Sequence, residues 1–278
     1  MTDLHSTRRR SRRIPCLLAA GFVLLSWCGA ARAEEGLYFY DPESSISNYV
    51  ALKDKVTAYI QKYGQYVFQP FSHIEDFEAT LSKSPTATFL VSSWHFKLLG
   101  QVMQIDPVLV AQIGGKTSQR KILVVNPDIG SADQLKGKKI ASASKDVSTR
   151  DMVSRMIGAS GADISQSTII LRVPKDIDAL MSVALGIADA ALSTENSFSK
   201  LGVVNPAQFG RMKILVTSEN QSLPIVATMV QSTKNSSQDK LVSVLKDMRQ
   251  SPEGVEILKM MGLDAFEPID AKEKRNLR

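Results

Sequence analysis

Four apolar runs of this 278-residue chain end in hydroxyls and charges: Tyr40-Asp41 followed by Ser44-Ser45, Ser92-Ser93-Trp94-His95, Ser144 through Arg150, and Ser193-Thr194-Glu195. In open α/β sheets, ligands sit beyond strand ends, where the topology switches. Side chains of these types can hold a small polar solute by many moderate hydrogen bonds and still release it. Of the two tyrosines in the first run, Tyr40 rather than Tyr38 is expected at such a site. Ser92, Ser93 and His95 supply donors and acceptors from a second strand end, and Glu195 can accept from an amine or a ligand hydroxyl. Each residue has a structural alternative. Tyr40 can pack in a core, Trp94 either stacks on a solute or shields the hinge side, and Thr194-Glu195 also fits a helix cap with a first-turn acid. His95 and His73 can act purely as structural hydrogen bonders. No metalloprotease H-E-x-x-H, P-loop or G-x-S-x-G elbow occurs, so the expectation is a binding protein with no catalytic residues, metal or cofactor.

The elements that would position these groups alternate. Strand-like runs at 37–40, 67–71, 86–91, 108–113, 122–125, 139–142, 168–173 and 188–192 interleave with helical patterns at 47–63, 74–81, 149–157 and 176–185. That rhythm predicts an α/β fold with largely parallel sheets. Leu52, Val56, Tyr59, Ile60 and Tyr63 fall on one helical face, behind Ser45 or Ser47 as N-cap. Ser236 or Ser237 can cap a later helix, and Pro252 suits the first position of another. The polar tail from Ala271 to Arg278 reads as frayed. Two strand-helix blocks, about 37–99 and 138–201, share a layout. Extended stretches at 108–125 and 213–230 suit two crossings between lobes. The expectation is a two-lobed chain with a central ligand cleft and two hinge crossings. Lobe I would comprise 34–118 and 219–278, and lobe II 119–218.

The first 33 residues have the layout of an export signal: a basic region at Arg8, Arg9, Arg10, Arg12 and Arg13, an apolar stretch from Ile14 to Cys28, and Ala31-Arg32-Ala33 as cleavage site. Either the general secretory or the twin-arginine route fits. Removing the segment takes away six Lys/Arg and one acid, so the formal net charge falls from +6 to about +1. A nucleic-acid partner is therefore not expected. Cys16 and Cys28 leave with the segment, and with them any disulfide or thiolate chemistry. The expected product is a monomer in the periplasm.

Several stretches together resemble the periplasmic solute-binding proteins of phosphate, phosphite and phosphonate ABC importers, of the type 2 periplasmic-binding fold. They are Leu135-Lys136-Gly137-Lys138-Lys139-Ile140-Ala141, Asp146-Val147-Ser148-Thr149, Val183 through Ala191, and Ser251-Pro252-Glu253-Gly254. The resemblance implies a small polar, anionic ligand captured for an ABC permease. A periplasmic sensor reporting to a membrane kinase is the alternative, and an enzyme on the same fold a more remote one. It also implies that Ser148 and Thr149 contact the anionic head at a helix N-terminus, where unsatisfied amides and the macrodipole favour negative charge. Arg150 and Asp151 replace the family's usual Ser and Gly. Arg150 can donate a bidentate pair to an oxyanion, and Asp151 would oppose one. Ser148-x-x-Asp151 is at the same time a capping-box pattern. Where the family has a ligand-contacting histidine, this chain has Val173-Pro174-Lys175-Asp176. Asp189 reads as structural.

Overall fold

The computed structural model describes residues 35–41, 46, 48–230 and 235–277. Residues 1–33, expected to be an export signal, and Ser44, Ser45 and Ser47 lie outside the described residues. The chain runs β1 (Glu35–Tyr40), α1 (Tyr49–Gln61), β2 (Tyr66–Pro70), α2 (Ile74–Leu81), β3 (Thr88–Val91), α3 (Ser93–Leu99), β4 (Ile105–Gln112), β5 (Ser118–Gln119), β6 (Lys121–Val125) and β7 (Lys139–Ser142). It continues through α4 (Asp146–Ile157), α5 (Gly161–Ser167), β8 (Ile169–Arg172), α6 (Asp176–Ala184), β9 (Ala190–Thr194), α7 (Glu195–Val204), α8 (Pro206–Phe209) and β10 (Lys213–Thr217). The last elements are β11 (Gln221–Ser222), β12 (Ile225–Met229), α9 (Ser236–Lys246), α10 (Pro252–Met260), β13 (Ala265–Pro268) and α11 (Ala271–Leu277).

Two sheets organise these elements. One has the order β13-β4-β12-β3-β1-β2, the other β10-β6-β9-β7-β8, and β5 pairs with β11 in a two-stranded ribbon where the chain passes between them. The sheets are mixed, not largely parallel. β1 runs parallel to β2 and β3, and β7 parallel to β8 and β9. The strands flanking the crossings are antiparallel: β12 against β3 and β4, and β6 against β9 and β10. A chain that leaves one sheet and later returns must bring its crossing strands back in the opposite sense, a constraint that strand-helix alternation does not display.

Both faces of the second sheet are covered, which explains why Lys121-Ile122-Leu123-Val124-Val125 is buried throughout. Ile122 and Val124 join Leu180, Val183 and Leu201 on one side, while Leu123 and Val125 join Met152, Val153 and Ile164 on the other. The period of two thus builds two cores from one strand. In the first sheet a single core gathers Leu52, Val56, Tyr59 and Ile60 of α1 with Phe68, Phe77, Phe89 and Phe266.

Caps refine the helix boundaries. Asn48, nearer than either expected serine, caps α1 by accepting from Ala51 N at 2.9 Å. Asn235 caps α9 in place of Ser236 or Ser237, accepting from Ser237 N and Gln238 N at 3.1 and 3.3 Å. Pro252 does open α10, with Ser251 Oγ accepting from Gly254 N at 3.1 Å. The tail is ordered as α11. Asp270 caps it at 2.8 and 2.7 Å, Lys274 bonds to Asp106 at 2.6 Å, and Leu277 is buried.

Candidate functional site

A cleft of about 390 Å³ lies between the two sheets. Its first-lobe wall carries Asp41 after β1, Ser92 and Ser93 after β3, and the apolar Leu223 and Met261. Its second-lobe wall carries Lys121 at the start of β6, Lys175 and Asp176 at the start of α6, and Thr194, Asn196 and Ser197 at the start of α7. The crossings add Gln119 and Gln221. Antiparallel pairing explains this assembly. Lys121, at the amino end of β6, lies in register with Thr194 at the carboxyl end of β9.

Three helix N-termini meet the cavity, and they differ in how their amides are satisfied. Ser92 Oγ accepts from His95 N at 3.3 Å and Thr194 Oγ1 from Ser197 N at 3.1 Å, so α3 and α7 are capped by their own side chains. α6 starts after Lys175 with no side-chain cap. Its first-turn amides and the positive end of its dipole are the natural anchor for an anion. Asp176 and Asp178 in that turn add negative charge, so an anion held there also needs the Lys121 and Lys175 ammonium groups.

Of the residues expected to bind ligand, Ser92 and Ser93 line the cleft. Tyr40 does not: it is buried against Phe77, with ring centroids 5.7 Å apart, and meets His95 edge-on at 5.3 Å. Burial, and next the charge of Glu75, raise its hydroxyl pKa above the ordinary value and keep it neutral. His95 is fully buried, its Nε2 2.9 Å from Glu78 Oε1 and its Nδ1 without a partner. This geometry fits a neutral ring that donates from Nε2, and it places His95 in the core rather than on the cavity wall. Trp94 faces a separate cavity of about 660 Å³, shared with Met152 and the crossing strands. His73 is exposed at the start of α2.

The Ser148 region also differs from expectation. α4 begins at Asp146, which puts Ser148 inside the first turn instead of at a cap position. Thr149 is fully buried and donates to Ser142 Oγ at 2.9 Å, tying the helix to the end of β7. Asp151 pairs with Arg155 at 2.8 Å, so no capping box forms. Arg150 turns away from the cleft: Nε meets Asp146 at 2.9 Å, and NH1 donates to the carbonyls of Ser165 and, at 3.1 Å, Thr168, closing the end of α5. Its guanidinium is occupied by terminal helix carbonyls, a common use of arginine. Glu195 is exposed at the first position of α7, and its neighbours Thr194 and Asn196 line the cavity in its place. Asp189 is structural, accepting from Lys139 N at 2.9 Å.

Lys145, just before α4, reaches from the second sheet to the first. Nζ donates to Ser72 O at 2.6 Å and lies 4.9 Å from the Tyr40 ring centroid. Burial, and next Arg172, lower its pKa, while Asp41 and Glu75 act in the opposite direction. Among the described residues no three His, Cys, Asp or Glu side chains gather as a metal site would need, and no helix is long and apolar enough to cross a membrane.

Burial lowers the His95 pKa from the ordinary 6.5, and the Glu78 bond offsets this only in part. In the unfolded chain the ring takes up a proton near 6.5, whereas the folded chain resists it. The stabilising contribution is therefore complete above pH 6.5 and is lost as pH falls through the folded pKa. Urea midpoints at pH 7.5 and 5 should show a smaller acid loss for His95→Asn than for the wild type. An equal loss in both would exclude this histidine as the source.

The mixed sheets and interlobe cleft define a two-lobed solute-binding protein. Over residues 42–273 the sequence matches the family described as ABC transporter, phosphonate, periplasmic substrate-binding protein, and the chain belongs to that family. It is a family of substrate-binding proteins, not of enzymes. No curated protein matches the sequence. Among solved structures, a Xanthomonas citri protein bound to ATP aligns with TM-score 0.59 and 15% identity, covering 88% of this chain and 94% of that one. The binding component of a phosphonate ABC transporter from Pseudomonas aeruginosa gives TM-score 0.59 and 10% identity over 88% and 85% of the two chains. PhnD1 from Prochlorococcus marinus, in complex with methylphosphonate, gives TM-score 0.55 and 11% identity over 87% and 96%. At these identities the likeness establishes the fold.

Proposed function

We propose that the chain captures a small solute with a phosphorus oxyanion head, phosphonate-like or phosphate-like, and delivers it to an ABC permease as a periplasmic monomer. The observation that carries this reading is the uncapped N-terminus of α6 opening into the cleft beside Lys121 and Lys175. The similarity to a methylphosphonate complex supports it. Asp41 and Asp176 on the same walls favour a solute that also offers hydrogen-bond donors. Ser92, Ser93, Lys121, Lys175, Thr194, Asn196 and Ser197 are the contacts we assign. Capture needs no covalent step. In this reading residues 1–33 are a cleaved export signal, 34–118 with 219–278 form lobe I, and 119–218 form lobe II.

Thermal-shift titration of the processed protein with phosphate, phosphite, methylphosphonate, sulfate and amino acids tests the assignment. A ligand at about 100 times its Kd stabilises by ~2.7 kcal/mol, which for a chain of this size raises Tm by about 5–10 °C. A shift with a phosphorus oxyanion is expected. A shift with sulfate or an amino acid alone would overturn the ligand class and leave the fold intact.

A further inference from the structure

Lys145 belongs to the second lobe by sequence, yet both partners of its ammonium group belong to the first: the Ser72 carbonyl at 2.6 Å and the Tyr40 ring at 4.9 Å. We infer that Lys145 is a positioning residue for capture, a tie across the cleft mouth that holds the solute-free chain near its closed form. Strand order places the tie. Ser72 follows β2, the edge strand of the first sheet, and Lys145 follows β7, next to the edge strand of the second. The crossings lie on the other side, beside β4, β12, β6 and β10. The lobes are thus joined by covalent chain on one side of the cavity, while on the other Lys145 links them through its side chain.

The position gives the contact leverage. Rotation about the crossings moves the mouth farther than any point nearer the hinge, so this bond breaks early in opening and its loss acts directly on the open-closed balance. A hydrogen bond from a charged donor, reinforced by a cation held over an aromatic face, is among the stronger single contacts a side chain makes. Asp41 and Glu75 of the first lobe lie close enough to favour the charged ammonium. Replacing the lysine by a neutral residue should lower the closed-to-open ratio by roughly tenfold or more. The inference rests on the interlobe cleft being the capture site, and it holds for any solute that fits there.

Small-angle scattering from the solute-free protein decides it. The radius of gyration should increase in Lys145→Met and in Lys145→Gln and stay at the wild-type value in Lys145→Arg, with all three melting within a few degrees of the wild type. A purely structural role inside the second lobe would lower the melting temperature and leave the radius unchanged. An unchanged radius in both neutral variants would overturn the tie. Because no solute is present, this outcome is separate from failure of the phosphorus-oxyanion reading.

Discussion

Lys121→Met weakens binding of methylphosphonate by about 30-fold or more, if the cleft holds an anion as proposed; this corresponds to ~2 kcal/mol, the lower range for removing one partner of a buried charged contact. Lys121 is 6% exposed, lines the cleft at the start of β6, and lies in register with Thr194 at the start of α7. Methionine keeps the length and the apolar stem, so the loss falls mainly on charge. Lys175 is exposed on the rim of the same wall, where water competes for its ammonium group. Lys175→Met should accordingly cost only a few-fold. Titration calorimetry on the two variants separates these cases. Equal and small effects would move the anion away from this wall, toward the start of α4.

The largest effect on stability should come from Phe77→Ala, which lowers the unfolding free energy by about 3–5 kcal/mol. Phe77 is fully buried, and its ring lies 5.7 Å from Tyr40, 5.6 Å from Phe71, 6.2 Å from Phe89 and 5.4 Å from His95. Truncation opens a hole among aromatic neighbours that are themselves held by β1 and β3, so collapse of the surroundings is limited. Tm should fall by roughly 10 °C or more, read by calorimetry or by urea unfolding. Phe77→Leu restores much of the volume and should recover more than half of the loss. A loss below 1 kcal/mol for the alanine variant would mean that this cluster repacks freely.

The alternation of strands and helices was readable because burial leaves a period. Leu52, Val56, Tyr59 and Ile60 recur at helical spacing, and the continuous apolar run of β6 signals a sheet covered on both faces. Strand direction leaves no such trace. A search confined to carboxyl ends finds Ser92 and Ser93 but passes over Lys121, which reaches the cleft only because β6 runs against β9. The one available signal was a lysine heading an otherwise apolar strand. Arg150 illustrates the converse difficulty. A guanidinium near an anion motif suits an oxyanion, yet the carbonyls at the end of α5 are equally good acceptors, and which acceptor lies within reach depends on tertiary placement. The ordered tail was hidden for a similar reason. Asp270 and Leu277 anchor α11 through a cap and a single buried side chain, too little to stand out in a polar sequence.

The β5–β11 ribbon constrains more than connectivity. Its strands contribute only two residues each, pair in antiparallel register, and are cross-linked by Asn220 to Ser118 at 2.9 Å, while Gln221 anchors to Met152 at 3.1 Å. Two bonded strands flex together far more readily than they shear past one another. Bending of the ribbon, rather than shear between its strands, is therefore the easier way for the lobes to move. A bending motion of this kind would set the direction in which the lobes part, whichever solute they hold, while the solute's contacts with both walls would set how readily they part.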